Sequence, residues 1–218
     1  MTPELVIFDC DGVLVDSEGP LAALAVEDLA GHGFEVAPDD FHDRFVGGTL
    51  ADVERRLREA GAKLPEGWTD SLYEKVFVLM DAGVPLSEGT AEMLDWLEGA
   101  GVQVAVASNG PMRKMQGSLG ASGLFVRLGG RIFSAHDHGT AKPQPGLLLK
   151  AAEAAGVHPA RAVMVDDSPV GAAAAKAAGM RFFGYVEHGN AEKMAALDVP
   201  LVRSMRELRA GLEGLGLG

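Results

Sequence analysis

The sequence contains a single cysteine, so no disulfide can form within the chain. Chains without internal disulfides are typical of the reducing cytoplasm, and we expect this protein to be cytoplasmic. No apolar run approaches the roughly 20 residues that a membrane-spanning helix requires. The sequence also lacks a basic segment followed by an apolar one at its start, so we expect no signal peptide.

Basic residues are scarce relative to acidic ones. The chain carries 19 Lys and Arg against 31 Asp and Glu, which gives a net charge of -12. Nucleic acids and anionic membranes attract basic surfaces, so we expect neither as a partner. An anionic small molecule would need a local positive site within this unfavourable field. The sequence leaves the oligomeric state open and is compatible with a monomer.

The order of predicted elements indicates the fold class. Residues 19–82 show helical periodicity without a convincing strand, whereas the second half alternates strands and helices. The later predicted strands cover residues 102–107, 131–134, 162–165, 181–186 and 199–202. This alternation predicts an α/β fold with a parallel sheet and helices on both faces. We expect the glycine-rich end, residues 211–218, to be frayed.

A stretch near the start, residues 5–18, has the sequence LVIFDCDGVLVDSE. Its four apolar residues predict a buried strand. Asp9 and Asp11 follow two positions apart, so their side chains face the same way while the backbone stays extended. Such close carboxylates resist joint ionisation unless a divalent cation lies between them or they share a proton. An acidic loop at a strand end is the alternative interpretation.

Polar residues follow three of the predicted strands, and ligands of parallel sheets bind beyond the carboxyl ends of the strands. These residues are Asp9 with Asp11, Ser108 with Asn109, and Asp166 with Asp167, and Lys142 opens a nearby helix. Carboxylate oxygens without His or Cys suit Mg²⁺ better than zinc. A serine hydroxyl, backbone N–H groups at a helix start and a lysine form an anion site.

Together these groups predict phosphoryl transfer, which depends on positioning and charge stabilisation. One aspartate can attack phosphorus, and a second carboxylate can protonate the leaving oxygen and then activate water.

Four segments resemble the ordered motifs of the haloacid dehalogenase-like hydrolase superfamily. They are residues 9–17 (DCDGVLVDS), Ser108-Asn109-Gly110, Lys142-Pro143, and Asp166-Asp167-Ser168. The resemblance implies a Rossmann-like core, residues 1–16 and 86–218, with an inserted all-helical cap, residues 17–85. It also implies an aspartyl-phosphate mechanism that uses Mg²⁺.

The same resemblance implies a role for each site residue. Asp9 would be the nucleophile and Asp11 the general acid and base. The phosphoryl group would be held by Ser108, Asn109, Gly110 and Lys142. Asp9, Asp167 and the backbone carbonyl of Asp11 would bind the metal, assisted by Asp166. In the cap, Gly47, Gly48 and Thr49 would face the leaving group.

Two stretches, SNGPMRKMQ at 108–116 and MVDDS at 164–168, resemble the bacterial 6-phosphogluconate phosphatase branch of this superfamily. The implied function is hydrolysis of a small phosphorylated metabolite, a sugar or sugar-acid phosphate such as 6-phosphogluconate. A β-phosphoglucomutase-like enzyme and a phosphoglycolate phosphatase-like enzyme are the alternatives. The mutase pattern has Arg where this chain has Leu50, which disfavours the mutase. Asp11 disfavours a haloalkanoate dehalogenase, and the complete motif set disfavours a non-catalytic binding protein.

Several other polar residues are ambiguous in the sequence. Arg44, Arg55 and Arg56 can recognise an acidic sugar or lie on a helix surface. We expect Cys10 to pack in the core, because alternation turns it away from Asp9 and Asp11. We expect residues 136–138 to form a polar loop rather than a metal cluster, and Lys114 to be a solvated helix residue.

Overall fold

The computed structural model describes residues 2–45, 49–186 and 191–217. Six strands lie in the described part of the chain: β1 Leu5–Phe8, β2 Gln103–Ser108, β3 Ile132–Ser134, β4 Ala162–Asp166, β5 Arg181–Tyr185 and β6 Leu201–Val202. They form one sheet in the order β3-β2-β1-β4-β5-β6, and each pair of neighbours is parallel. The predicted parallel α/β fold is therefore confirmed.

The helices between β1 and β2 are α1 Glu18–Gly31, α2 Pro38–Phe45, α3 Leu50–Glu59, α4 Trp68–Asp81 and α5 Thr90–Gly99. Those that follow are α6 Met112–Gly120, α7 Leu124–Leu128, α8 Ala135–His138, α9 Gly146–Ala155, α10 Pro169–Ala178, α11 Ala191–Ala195 and α12 Met205–Glu213. Short 3₁₀ turns occupy Gly129–Arg131 and Pro159–Arg161. No helix in these described segments is long and apolar enough to cross a membrane.

Strand β1 lies at the centre of the sheet and is buried on both faces. Val6 and Phe8 belong to the core that includes residues of α5 and α12, whereas Leu5 and Ile7 belong to the core that includes α9 and α10. A strand covered on both faces must be apolar throughout, which explains the uninterrupted LVIF run. Phe8 pairs with Val106 on one side and Val165 on the other, so the residues after these positions reach the same sheet edge.

Helices α1 to α4 form a helical segment between β1 and α5. Its buried residues include Leu29, Leu57, Trp68 and Leu72. Asp28 is also buried there, because Trp68 Nε1 donates a hydrogen bond of 2.6 Å to Asp28 Oδ2 and Lys75 Nζ lies 2.5 Å from Asp28 Oδ1.

The helical segment contacts the rest of the chain through its two connections and through α4. The two connections run side by side, since Asp16 N donates to Pro85 O at 2.9 Å and Val15 bridges Leu86. Helix α4 also packs closely on α6, where a Cβ added to Gly117 would lie 2.8 Å from Met80 Cβ. The absence of a side chain at Gly117 therefore allows the close approach of α4 to α6.

The expected fraying of the glycine-rich end is wrong for its described residues. Leu217 is only 5% exposed and belongs to the main core, and its N–H donates to Leu212 O at 3.3 Å. The apolar leucines of this segment gain more from burial than the glycines lose in conformational freedom.

Candidate active site

A cavity of about 500 Å³ lies where the sheet edge meets the helical segment. From the sheet side it is lined by Asp9, Asp11, Ser108, Lys142 and Asp167. From the helical side its lining is mainly apolar, and the polar exceptions are Glu18, Arg44, Thr49, Arg56 and Tyr73. The structure therefore brings together the sheet-edge residues that the sequence predicted to be neighbours.

Asp9 lies directly after β1 and faces Lys142. Lys142 Nζ is 3.0 Å from Asp9 Oδ1. The contact is an ion pair, and among the described residues no donor makes an aligned hydrogen bond to this buried oxygen. Burial raises the pKa of Asp9 to about 7; Lys142 opposes the shift, and the charges of Asp166 and Asp11 add to it. This oxygen can therefore accept a further positive ligand.

Asp166 is the last residue of β4 and is fully buried, with all its hydrogen bonds made inside the protein. Lys142 Nζ lies 2.6 Å from its Oδ2, while Ser168 donates to Oδ1 from the backbone N–H at 2.9 Å and from Oγ at 2.6 Å. A side chain at Gly171 would overlap this carboxylate. Asp166 therefore orients Lys142 and the start of α10.

Lys142 is fixed in turn by Asn109. Asn109 Nδ2 donates to the Lys142 carbonyl at 3.0 Å, and the Lys142 N–H donates to Asn109 Oδ1 at 2.8 Å. Burial acts to lower the pKa of Lys142, but the charges of Asp166 and Asp9 raise it above its usual value, so the ammonium stays charged. The Asn109 side chain is therefore occupied by Lys142, and the phosphate contact predicted for Asn109 would have to come from its backbone N–H.

Ser108 ends β2 and is almost completely buried. Its Oγ accepts the Gly110 N–H at 3.1 Å, which leaves the hydroxyl proton to point at a ligand. The loop from Ser108 to Gly110 leads into α6, so its N–H groups lie close to the positive end of a helix.

Three carboxylates form a group that fits a metal ion. One oxygen from each of Asp9, Asp166 and Asp167 lies within 4.8 Å of the others. Burial raises the pKa of Asp167 well above its usual value, with further contributions from Asp166, Asp9 and Glu18. A divalent cation would relieve this repulsion, and carboxylate oxygens are the ligands that Mg²⁺ prefers. Gly12 has a φ of 70° and no side chain, where a Cβ would lie 2.8 Å from Asp167 Oδ2.

Asp11 occupies a separate position, bonded to two donors. Ser17 Oγ donates to its Oδ1 at 2.8 Å, and Lys114 Nζ lies 2.6 Å from its Oδ2. The expectation that Lys114 is a solvated helix residue is wrong, since its side chain is only 12% exposed. Lys114 lies in the first turn of α6, shortly after the loop from Ser108 to Gly110. That position in the sequence could have indicated that its side chain lines the cavity.

The cap residues predicted to face the substrate are only partly described. Gly47 and Gly48 lie outside the described residues, whereas Thr49 lines the cavity. Thr49 is the N-cap of α3: its N–H donates to Asp52 Oδ2 at 2.9 Å, and its Oγ1 accepts from the Asp52 N–H at 3.3 Å. Arg55 pairs with Glu59 at the surface and does not line the cavity.

Two further cavity residues, Glu18 and Tyr73, were missed in the sequence. Glu18 is the first residue of α1, within the acidic motif, and its charge acts on Asp167. Tyr73 projects from α4, and its hydroxyl lies 3.5 Å from His136 Nε2. Each is brought to the cavity by the packing of the helical segment, which local sequence does not reveal.

Cys10 and residues 136–138 were both expected to have no part in the site. Cys10 is buried in the core as expected, 3.7 Å from Ser118 Oγ, and burial raises the pKa of its thiol. Residues 136–138 form the one-turn helix α8 rather than a loop. Within the described ranges, the aspartate group above is the cluster with metal-ligand spacing, and it does not include these histidines.

This site and fold define a hydrolase with a carboxylate centre at the edge of a parallel sheet. Residues 3–179 match the sequence profile of the haloacid dehalogenase-like hydrolases, and the chain belongs to that family. The resemblance inferred from the four motifs is thus confirmed, and the protein is an enzyme of the hydrolase class.

The chain is also similar to individual proteins of this family. The chain is 33% identical over 182 residues to the 6-phosphogluconate phosphatase of Escherichia coli strain K12, an alignment that covers 83% of this chain and 81% of that protein. It is 31% identical over 219 residues to phosphoglycolate phosphatase 1 of Pseudomonas aeruginosa, covering 93% and 78%. A crystal structure of a family hydrolase from Deinococcus radiodurans R1, with bound phosphate and sodium, superposes with a TM-score of 0.81 at 32% identity and covers 99% of this chain and 97% of that one.

Proposed function

We propose that the protein is a Mg²⁺-dependent phosphatase that hydrolyses a small phosphorylated metabolite through an aspartyl-phosphate on Asp9. The observation that carries the proposal is the position of Asp9, which contacts the Lys142 ammonium and also lies close to the carboxylates of Asp166 and Asp167. A sugar or sugar-acid phosphate is the substrate class, with 6-phosphogluconate as its first member. The similarity to a 6-phosphogluconate phosphatase over most of both chains supports this choice.

In the first half of the reaction, an oxygen of Asp9 attacks phosphorus and the bond from phosphorus to the leaving oxygen breaks. The leaving oxygen takes a proton from Asp11 and departs as an alcohol. In the second half, a water oxygen attacks the phosphorus and gives a proton to Asp11. The bond to Asp9 then breaks, and inorganic phosphate leaves.

The surrounding residues hold the phosphoryl group during both halves. The Lys142 ammonium and the Ser108 hydroxyl bind its oxygens, together with the N–H groups of Asn109 and Gly110. Asp9, Asp167 and the Asp11 carbonyl would hold Mg²⁺. Asp166 would assist indirectly, by orienting Lys142. The metal supplies positive charge that offsets the anionic phosphoryl group and the carboxylates.

We further propose that residues 17–85 act as a cap over a core of residues 1–16 and 86–218. The two adjacent connections at Asp16 and Pro85 support a hinge at this place. Thr49, and with it Gly47 and Gly48, would lie near the leaving group. Arg44 and Arg56 are available to meet an acidic sugar.

Two related activities are the alternatives. The first is hydrolysis of a shorter phosphorylated acid, which the similarity to phosphoglycolate phosphatase 1 supports. A phosphomutase is disfavoured by Leu50, which begins α3 where the mutase pattern has Arg. The single cysteine and the net charge of -12 support a cytoplasmic enzyme without nucleic-acid or membrane partners.

The experiment is phosphate release from 6-phosphogluconate, glucose phosphates and phosphoglycolate, with Mg²⁺ and with a chelator. We expect turnover with a clear preference for one ester, loss of turnover in chelator, and recovery when Mg²⁺ is restored. Asp9→Asn is the control and should lower turnover by at least about 10³-fold while the protein remains folded. Undiminished phosphate release by Asp9→Asn would contradict the proposed mechanism. A folded wild-type protein that releases phosphate from none of these esters would contradict the proposed function.

A further inference from the structure

Lys114 is a largely enclosed cation, and the proposed phosphate site does not use it. Its ammonium lies 2.6 Å from Asp11 Oδ2. Lys142, by contrast, pairs with Asp9 and Asp166. The two lysines therefore pair with different aspartates.

The backbone around Lys114 explains how it reaches this place. Helix α6 begins at Met112 after Pro111, and the Lys114 N–H donates to the Pro111 carbonyl at 3.0 Å. The aliphatic stem then runs beside Gly110, where an added Cβ would lie 3.5 Å from Lys114 Cδ. The ammonium is thus held from the side of the phosphate loop, and burying it is costly unless a carboxylate faces it.

The partners of Asp11 fix the orientation of its carboxylate. Ser17 Oγ holds Oδ1 at 2.8 Å and Lys114 Nζ holds Oδ2, so rotation of the carboxyl group would break at least one of these contacts. Ser17 is fully buried and adjoins the proposed hinge. Each carboxylate oxygen still has a second lone pair, which leaves a place for the proton that passes to the leaving group.

We propose that Lys114 is a positioning residue for Asp11, which it orients toward the leaving oxygen together with Ser17. The inference rests on the proposed phosphatase function. Because Asp11 serves the leaving group, Lys114 matters most when that group is a poor one. An alkyl phosphate needs the proton as its bond breaks, whereas the 4-nitrophenolate of 4-nitrophenyl phosphate leaves readily without it.

The experiment compares kcat/KM for 6-phosphogluconate, phenyl phosphate and 4-nitrophenyl phosphate in the wild type and in Lys114→Met. This ratio covers only the steps through alcohol release, where Asp11 acts as an acid. We expect a loss of about 100-fold on 6-phosphogluconate and a loss below about tenfold on 4-nitrophenyl phosphate, with phenyl phosphate between them. Lys114→Arg, which keeps the charge, should recover part of the selective loss.

Two further variants separate this role from others. Lys150→Met removes an exposed lysine of α9 outside the cavity and should change none of the ratios. Ser17→Ala removes the other partner of Asp11 and should give a smaller loss with the same dependence on the leaving group. This variant also tests the proposal if Lys114→Met does not fold.

Equal losses on the three esters, or no loss, would overturn the role of Lys114. Such a result would leave the phosphatase function intact, provided that the wild type hydrolyses these esters. A wild type that hydrolyses none of them would instead overturn the proposed function.

Discussion

The cavity has two sides that are built in opposite ways. On the sheet side, Asp166 and Lys142 are almost fully buried, and each makes several contacts inside the protein. On the helical side, the lining is mostly apolar, and Arg44 is an exposed residue that lies over the Phe45 ring, 4.9 Å from its centroid. Groups on the sheet side depend on one another, whereas those on the helical side can change separately.

If the proposed function holds, this difference would divide the two tasks of the enzyme, with the reaction on the sheet side and substrate selection on the helical side. Loss of one partner of a buried ion pair leaves an unpaired charge and destabilises the folded protein. Single substitutions on the sheet side are therefore poorly tolerated. An exposed arginine contributes little to stability, so its substitution costs the fold little. On the proposed function, we therefore expect substitutions on the helical side to change the substrate preference while the proposed catalytic residues stay in place.

Substitution of a buried charged residue on the sheet side should have the largest effect on activity and stability. Lys142→Met removes the cation that faces Asp9 and Asp166 and leaves a fully buried carboxylate unpaired. We expect phosphate release to fall by more than about 100-fold and the free energy of unfolding to fall by about 3 to 5 kcal/mol. Activity assays and urea unfolding measure the two effects.

The double variant Lys142→Met, Asp166→Asn serves as the control for this prediction. It removes the unpaired charge, so part of the stability should return while activity stays low. Recovery of activity together with stability would show that Lys142 acts only on the fold. A stable, inactive double variant would show that the two effects are separable.

The sheet side could be predicted from sequence because its position follows from topology. Parallel strands that end in polar residues must deliver those residues to one edge, and Asp9, Ser108 and Asp166 are neighbours for that reason. The motif order then identified the family. The fold class was accessible for the same reason, since a strand buried on both faces is apolar without alternation.

The remaining contacts depend on packing between distant elements, which local sequence does not contain. Lys114 could be assigned to a helix, but its burial depends on Asp11, which is 103 residues away in sequence. Arg55 and Arg56 are neighbours on α3, yet only Arg56 lines the cavity. The end of the chain shows the same limit, because Leu217 is held by a core that its own segment does not define.

A smaller effect should follow from a change on the helical side. If Arg44 meets the acidic end of the substrate, Arg44→Met should raise the KM for 6-phosphogluconate by about tenfold. The KM for glucitol 6-phosphate, which has the same chain length but no carboxylate, should change by less than about twofold. Steady-state kinetics with both esters tests the difference.

Arg55→Met is the matched variant, because Arg55 is another exposed arginine of the helical segment but pairs with Glu59 outside the cavity. It should leave both KM values unchanged. Equal changes in KM for the two esters in Arg44→Met would mean that Arg44 does not bind the substrate carboxylate. Selection of the substrate by the helical side would then depend on the shape of the cavity alone.

The smallest effect concerns the interior of the helical segment, at Asp28. Burial acts to raise its pKa, but hydrogen bonds from Lys75 and Trp68 and the charge of Lys75 lower it overall. A carboxyl group with a lowered pKa in the folded state contributes stability above its unfolded pKa of about 4, and this is lost as the pH falls through the folded pKa. Asp28→Asn should therefore reduce the free energy of unfolding by about 1 to 2 kcal/mol at pH 7, and by less as the pH falls below about 4.

Glu27→Gln, at the exposed neighbouring position, should produce no comparable loss at any of these pH values. Urea unfolding of the three proteins between pH 3 and pH 7 supplies the measurement. A loss in Asp28→Asn that is independent of pH would show that the hydrogen-bond geometry matters and the charge does not. Because Asp28 lies outside the catalytic cavity, kcat at pH 7 should stay close to the wild-type value, so an altered kcat would link the interior of the helical segment to the chemistry at the sheet edge.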